Sequence, residues 1–386
     1  MLQRILINAI NVTAAGPKSV VKSLLPSLAS AMPDSAFTVL FPEEWRAWDA
    51  NLPSNIEIRY FQTKAGLRND IERLKQLTFG LRHIAVEIHA DACLTLGDHP
   101  PLGLPCPHII LLHLALLVYS LDELNGYPGW SRIKRSYLRT HFRLVAPKAA
   151  YLVVQTDVMA KRVVSNYGID SRKVIVMPQP APVHAPLARE CAVSSPIRAN
   201  PKPIKLTYLA AYYPHKNHEI LPAVADELRL RGLASKVGIF TTIDLDLCAS
   251  ARVRGCFDSY SDVLTNIGPV KPENIAALLL DSSALFFPTI VEAFSMVYLE
   301  AMASGLPILT SDRDFAHYSC GDLAQYFDPL DPKSIADSIE RFCKWRKPDD
   351  YALKAQAGLR RFPPDWDAVG RMYRDVFRRA IDSVDS

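Results

Sequence analysis

The chain has 386 residues, 49% hydrophobic and 22% charged, with a formal net charge of +4. At roughly 100 to 200 residues per domain, that length suggests two domains with full cores. The apolar content and small net charge exclude a disordered chain and one that coats nucleic acid. The seven cysteines (Cys93, Cys106, Cys191, Cys248, Cys256, Cys320 and Cys343) are odd in number, scattered and free of any Cys-x-x-Cys pair, against a disulfide framework or a zinc site.

Charge is unevenly spread. Residues 1–183 hold 20 Lys and Arg against 14 Asp and Glu, and residues 184–386 hold 24 against 26. The basic first half fits phosphate-bearing or membrane-surface partners, or a merely solvated face. The N-terminus, Met-Leu-Gln-Arg-Ile-Leu-Ile-Asn, enters a strand-like pattern with no signal-peptide layout, so a cytoplasmic protein is expected.

Along the first half, β-rich runs alternate with amphipathic stretches, the pattern of parallel sheets covered by helices. Strands are expected near Arg4–Ala9, Phe37–Phe41, Glu57–Phe61, Ala92–Leu96, His108–His113, Tyr151–Gln155 and Lys173–Met177. Helices are expected from Pro17, Arg68, Arg132 and Asp157. The loop after the first strand ends in Gly16-Pro17, where glycine permits close backbone approach and proline suits a helix start. It lacks Gly-x-Gly-x-x-Gly, which disfavours a nicotinamide enzyme.

Asp98 and His99 follow the fourth strand and are weaker site candidates. The run Ile109–Val118 is the most apolar, but its ten residues fall far short of the roughly 20 needed to span a bilayer. It carries His113 at a strand end, a residue type as common in satisfied cores as in sites. Residues 131–147 form a basic amphipathic helix with Arg132, Lys134, Arg135, Arg139 and Arg143. Such a helix is either a solvated face over a core or a peripheral contact with anionic lipid.

Seven prolines between Pro178 and Pro203 break all periodicity and mark a linker over 184–203. A second α/β series follows, with strands near Ile204–Leu209, Val237–Thr241, Val263–Ile267, Ala284–Phe287, Pro307–Thr310 and Gln325–Phe327. Its helices are expected from Asn217, Pro272, Ser295 and Pro332. Two Rossmann-like domains, 1–183 and 204–366, are the economical division, and open sheets of this kind bind ligands beyond the carboxyl ends of their strands. Two such domains facing each other would put an active site in the cleft between them.

Three motifs in this half bear on chemistry. Tyr208–His218 ends the first strand after the linker, and Lys216 is a flexible cation at a strand-to-helix turn, suited to phosphate. Asp244-Leu245-Asp246 has the form of a divalent-metal pair, but away from the richest segment it reads as a surface or capping pair, and no metal site is expected. That richest segment is residues 284–312, a buried strand, a loop carrying Glu292, and a helix from Ser295 that should end in a left-handed cap at Gly305.

A helix start of this kind aims the amides around Phe294, Ser295 and Met296 outward from a positive helix end, where phosphate can sit. Glu300, about one and a half turns in, can accept paired ribose hydroxyls, while Glu292 stands before the helix at the other end of such a ligand. Alone, the Glu-x7-Glu spacing more often describes a helix-stabilising carboxylate and a solvated loop residue.

Residues 284–312 closely resemble the donor-binding signature of the family 4 retaining glycosyltransferases of GT-B fold, the glycosyl transferases group 1. The resemblance implies that Glu292 contacts the donor sugar, the amides near Phe294 to Met296 the diphosphate, and Glu300 the ribose. By the same likeness Lys216 is the diphosphate lysine, and His113 contacts the donor sugar. The family's Gly-Arg pair before that lysine is Ala210-Ala211 here, leaving His215, His218 or Lys271 to supply a second cation. Of the usual Gly-Gly pair in the first loop only Gly16 remains, and residues 367–386 resemble the closing helix that returns to the first domain.

The resemblance implies transfer of a sugar from a nucleotide diphosphate sugar to a glycan or lipid-linked acceptor, with retention, without metal or other cofactor, and without nucleic acid. Surface-polysaccharide assembly in the cytoplasm or at the inner membrane face is the expected setting. A sugar-nucleotide epimerase, a glycan phosphorylase and a non-catalytic binding subunit are the rival readings.

Overall fold

Continuous apolar runs such as Ile5–Ile7 and Leu285–Phe287 suit strands covered on both faces. The computed structural model arranges these runs in two separate, wholly parallel sheets, and describes residues 3–13, 15–48, 52–61, 79–97, 100–120, 122–124, 132–181 and 195–383. Packing divides the chain into two units, one from 1–119, 130–180 and 363–386, the other from 120–129 and 181–362.

The first unit holds β1 (Arg4–Asn8), β2 (Ala36–Pro42), β3 (Ile56–Phe61), β4 (Ala92–Leu96), β5 (His108–Leu111), β6 (Tyr151–Val154) and β7 (Val174–Val176), in the order β3-β2-β1-β4-β5-β6-β7. The direction of winding reverses between β1 and β4. One face is covered by helix Ala15–Ala31, whose Leu24, Leu25 and Leu28 join Val369, Tyr373, Val376 and Phe377 of helix Trp366–Asp382 in one core. The two helices approach so closely that a Cβ on Gly370 would come within 2.4 Å of the Ser27 carbonyl, so only glycine fits there. Trp45 stacks on Phe41 and donates its indole N–H to the Val12 carbonyl at 2.8 Å, tying down the loop after β1.

The second unit holds β8 (Ile204–Tyr208), β9 (Val237–Thr241), β10 (Leu264–Asn266), β11 (Ala284–Phe287), β12 (Ile308–Ser311) and β13 (Ala324–Phe327), in the order β10-β9-β8-β11-β12-β13. Here the winding reverses between β8 and β11. Strand β12 starts at Ile308, after Pro307, which has no N–H to give a ladder. Gly305 ends helix Met296–Ala303 with φ +59°, the left-handed cap its sequence predicts.

The expected linker needs one revision. Among its described residues, Ile197 is fully buried against Phe240 and Leu278, and Lys205 Nζ donates to the carbonyls of Ile197 and Arg198 at 2.9 Å. Residues 195–200 are therefore a turn packed on the second unit, with the aliphatic side chain outweighing the proline-rich context. The helix expected from Arg68 lies outside the described residues.

Candidate active site

Rossmann-like sheets hold ligands at the carboxyl ends of the strands that flank the winding reversal, because the loops there diverge and leave a crevice. In the second unit those strands are β8 and β11. Lys216 follows the first and Glu292 the second, 76 positions apart, and they meet: Nζ lies 2.6 Å from Glu292 Oε1. Only 16% and 8% of their side chains are exposed, so the pair is shielded from most solvent screening. The ammonium also sits 4.8 Å from the centre of the Phe287 ring, within cation–π range.

Both loops are built to hold this pair. After β8 the chain makes a one-turn 3-10 helix, Pro214–Lys216, and Asn217 stops it in the left-handed region at φ +65°, a conformation asparagine tolerates. Asn217 Nδ2 then donates to the carbonyls of Pro288 at 3.0 Å and Pro329 at 2.7 Å, stitching three loops together. The buried Tyr208 hydroxyl donates to the Lys216 carbonyl. On the other side, the Ile290 amide donates to the His215 carbonyl at 2.8 Å, and Ser311 Oγ donates to the Thr289 carbonyl at 2.6 Å. Thr289 Oγ1 lies 2.7 Å from the same Glu292 Oε1, which leaves Oε2 with no hydrogen-bond partner among the described residues.

Helix Met296–Ala303 opens beside this pair. Its N-cap, Ser295, makes no side-chain cap, and among the described residues no acceptor reaches the amides of Phe294, Ser295 or Met296. These free donors sit at a positive helix end, a ready anion site. Further along the helix, Glu300 has no ionic or hydrogen-bonding partner among the described residues, and desolvation pushes its carboxyl up to about 7. An unpaired, desolvated carboxylate gains most from a ligand that brings hydroxyl donors.

Two proposed substitutes for the missing arginine fail on electrostatics. Burial drives His215 down to about 4, with Glu292 opposing and Lys216 adding to the shift. His218 falls to about 3 through burial, Lys216 and His215. Both are uncharged at neutral pH, so neither is a second cation. His218 stacks on Tyr208 with ring centres 4.4 Å apart, and both its nitrogens lack a partner among the described residues. Lys271 is exposed and precedes helix Pro272–Leu280 after the edge strand β10, two strands from β8.

The Asp244 carboxylate accepts from the Asp246 amide at 3.0 Å, a local turn. Among the described residues, no group of three His, Cys, Asp or Glu could hold a metal.

The other predicted residues belong to the first unit. His113 lies two residues past the end of β5, and desolvation pushes its imidazole down to about 4 despite a hydrogen bond with Gln155. Gly16 sits in the first turn of helix Ala15–Ala31, with open space where a Cβ would point. Asp98 and His99 lie outside the described residues. In the basic helix, now Arg132–Val145, Arg135 is buried and donates to the Tyr119 carbonyl at 2.9 Å, and Arg139 reaches the same carbonyl at 3.3 Å. Two of its cationic heads are therefore turned inward rather than spread on a surface.

Sequence reasoning missed Tyr208, Asn217, Thr289 and Ser311 as supports of the ion pair. Asn217 left a signal, an asparagine directly after a Pro-His-Lys turn; the other three are ordinary strand-end residues.

The family model of the glycosyl transferases group 1 matches residues 259–357, which include Glu292, the open helix start and Glu300. Residues 259–357 carry the glycosyl transferases group 1 signature. The O-antigen chain mannosyltransferase RfbU of Salmonella typhimurium is 23% identical over 223 residues, 55% of this chain and 56% of that protein. The D-inositol 3-phosphate glycosyltransferase of Rhodococcus opacus is 23% identical over 175 residues, 44% of this chain and 39% of that one. The matches thus span about half the length of these curated relatives or less.

The likeness of fold extends further than the sequence signature. A sucrose-phosphate synthase from Thermosynechococcus elongatus superposes with a TM-score of 0.72 at 14% identity, covering 99% of this chain and 100% of that one. The fold is GT-B, two Rossmann-like units in one chain, with the group 1 signature in the second. Among the described residues, no helix is long and apolar enough to cross a membrane.

Proposed function

We propose that the protein is a retaining glycosyltransferase that moves a sugar from a nucleotide diphosphate sugar to a glycan or lipid-linked acceptor. The observation that carries this reading is the Lys216–Glu292 pair beside an uncapped helix start at the winding reversal of the second unit. The diphosphate takes the free amides of Phe294 to Met296 and draws the Lys216 ammonium from Glu292. Glu292 then turns to the donor sugar, and Glu300 accepts the ribose hydroxyls.

As the bond from the anomeric carbon to the diphosphate oxygen breaks, the acceptor oxygen bonds to that carbon on the same face and its proton passes to the departing phosphate. Negative charge building on the leaving group is stabilised by Lys216 and the helix amides, preorganised donors that act where charge develops. This cation and helix end supply the role a divalent metal plays elsewhere, so turnover without metal is part of the proposal. His113, uncharged, contributes a hydrogen bond to the donor sugar rather than a positive charge.

The mannosyltransferase relative acts on the O-antigen chain, which supports a surface-polysaccharide role at the inner face of the cytoplasmic membrane. For membrane contact, helix Arg132–Val145 offers exposed Tyr137, Arg143 and Leu144. A thermal-shift screen with UDP-, GDP-, ADP- and dTDP-sugars tests the donor side, since a ligand at 100 times its Kd adds about 2.7 kcal/mol to stability. At least one donor should raise the melting temperature and be consumed only when acceptor is present. Conversion of the donor alone would reveal an epimerase, and a shift with no turnover on any glycan acceptor would reveal a binding subunit.

A further inference from the structure

Thr289 is fully buried, and its hydroxyl faces two acceptors at once. Oγ1 lies 2.7 Å from Glu292 Oε1 and 2.9 Å from the His215 carbonyl oxygen. A threonine hydroxyl carries one proton, so it donates fully to only one of them. Neither acceptor depends on it. The Lys216 ammonium is 2.6 Å from the same Glu292 Oε1, and the Ile290 amide donates to the His215 carbonyl at 2.8 Å. In this arrangement the hydroxyl is redundant.

The two donors on Glu292 Oε1 differ in how firmly they are held. Asn217 Nδ2 donates to the Pro288 carbonyl at 3.0 Å and Ser311 Oγ to the Thr289 carbonyl at 2.6 Å, so the backbone on both sides of the Thr289 side chain is tied. Its β-branch restricts χ1 as well. Lys216 ends a flexible four-carbon stem and can swing away. In the reaction proposed above, the diphosphate draws that ammonium off. The Glu292 carboxylate, with 8% of its side chain exposed, then loses its counter-charge where little water reaches it, which is costly unless another donor takes over. The Thr289 hydroxyl is already within 2.7 Å, and the His215 carbonyl keeps the Ile290 amide when that proton turns away.

We infer that Thr289 is a positioning residue, whose proton turns to Glu292 Oε1 when Lys216 leaves for the diphosphate and so keeps Oε2 aimed at the donor sugar. The step is a rotation about the Cβ–Oγ1 bond; no proton leaves the hydroxyl. This role rests on the donor-transfer reading of the same site. It confines the worth of the hydroxyl to the complex with the nucleotide sugar.

The test compares Thr289→Val, which keeps the branched shape without the hydroxyl, with Thr289→Ser, which keeps the hydroxyl. Each full-length protein is titrated calorimetrically with UDP-glucose, GDP-mannose, ADP-glucose and dTDP-glucose and with the matching nucleoside diphosphates, and is unfolded thermally without ligand. Thr289→Val should unfold at the wild-type temperature, because both acceptors keep another donor. It should bind the nucleotide sugar about ten- to a hundredfold more weakly, the scale of a hydrogen bond to a charged group. Its affinity for the nucleoside diphosphate should be little changed, since water fills the place of the sugar and solvates Glu292. Thr289→Ser should recover most of the loss. An unchanged nucleotide-sugar affinity in Thr289→Val, an equal loss for the nucleoside diphosphate, no recovery in Thr289→Ser, or a lower melting temperature of unliganded Thr289→Val would each overturn the role of Thr289 while leaving the donor site in place. Wild-type protein that binds none of these nucleotide sugars would overturn the transfer reading, and this role with it.

Discussion

The two sheets share one winding rule yet carry different chemistry at the strands where the winding reverses. In the second unit the loops after β8 and β11 bring an ammonium and a carboxylate to 2.6 Å, beside amides and a Glu300 carboxyl that have no partner among the described residues. In the first unit the described rim offers Gly16 with open space and an uncharged His113, and no ion pair between those residues. The strands of a Rossmann-like sheet thus settle where a ligand can sit, while the loops settle whether that place binds charge. The charged second rim is the one suited to an anion.

The largest effect that sharpens this contrast is expected at Lys216. Lys216→Ala should lower turnover by about 10²- to 10³-fold, the scale for removing a donor aimed at developing charge; steady-state rates at saturating donor would check it. A loss below threefold would break the contrast, because the charged rim would then be a stability device. Next, Glu300→Ala should weaken donor binding by about ten- to a hundredfold, the loss of hydrogen bonds to a charged group, read by calorimetry.

The pH dependence of Glu300 follows from its position at about 7. In the proposed function, ribose hydroxyls donate to the ionised carboxylate, so binding should expel a proton wherever the free protein holds one. Donor affinity should therefore rise about tenfold per unit as pH increases toward 7, then level off. Glu300→Gln should be flat over the same range. A rise of equal slope in Glu300→Gln would assign the titration to another group.

A smaller effect is expected in the first unit, where His113→Ala should lower kcat/KM for the donor about tenfold, the worth of one neutral hydrogen bond to its sugar. An effect as large as that of Lys216→Ala would erase the difference between the rims. Smallest in activity, Gly370→Ala should leave rates per folded molecule intact while costing about 1–3 kcal/mol of stability by overpacking. Its new Cβ would meet the Ser27 carbonyl, and thermal unfolding would show the loss.

Much of this architecture was legible in the chain because strands buried on both faces read as apolar runs, and the described strands lie within a residue or two of their expected ends. Glu292, the open helix start and Glu300 were legible because one short segment carries them all. Helix Ala251–Ser259 was not, since Gly255 sits inside it, although Ser250 caps it by accepting from the Val253 amide at 3.2 Å. Helices Asp314–Cys320 and Tyr351–Leu359 are too short to show a sustained period.

The charge states of His215 and His218 were illegible for another reason. Desolvation is set by what packs around a ring in three dimensions, and Tyr208 and Lys216 reach His218 only once the turn is folded. Ile197 hid in a proline-rich stretch in the same way, its burial supplied by Phe240 and Leu278, both distant in sequence.

A structure of the protein with the proposed nucleotide diphosphate sugar bound tests the central claim most directly. The pyrophosphate should lie within hydrogen-bond distance of the amides of Phe294 to Met296, with Lys216 Nζ moved from Glu292 onto it and the ribose on Glu300. A nucleotide bound elsewhere, with the Lys216–Glu292 contact still at 2.6 Å, would contradict the account.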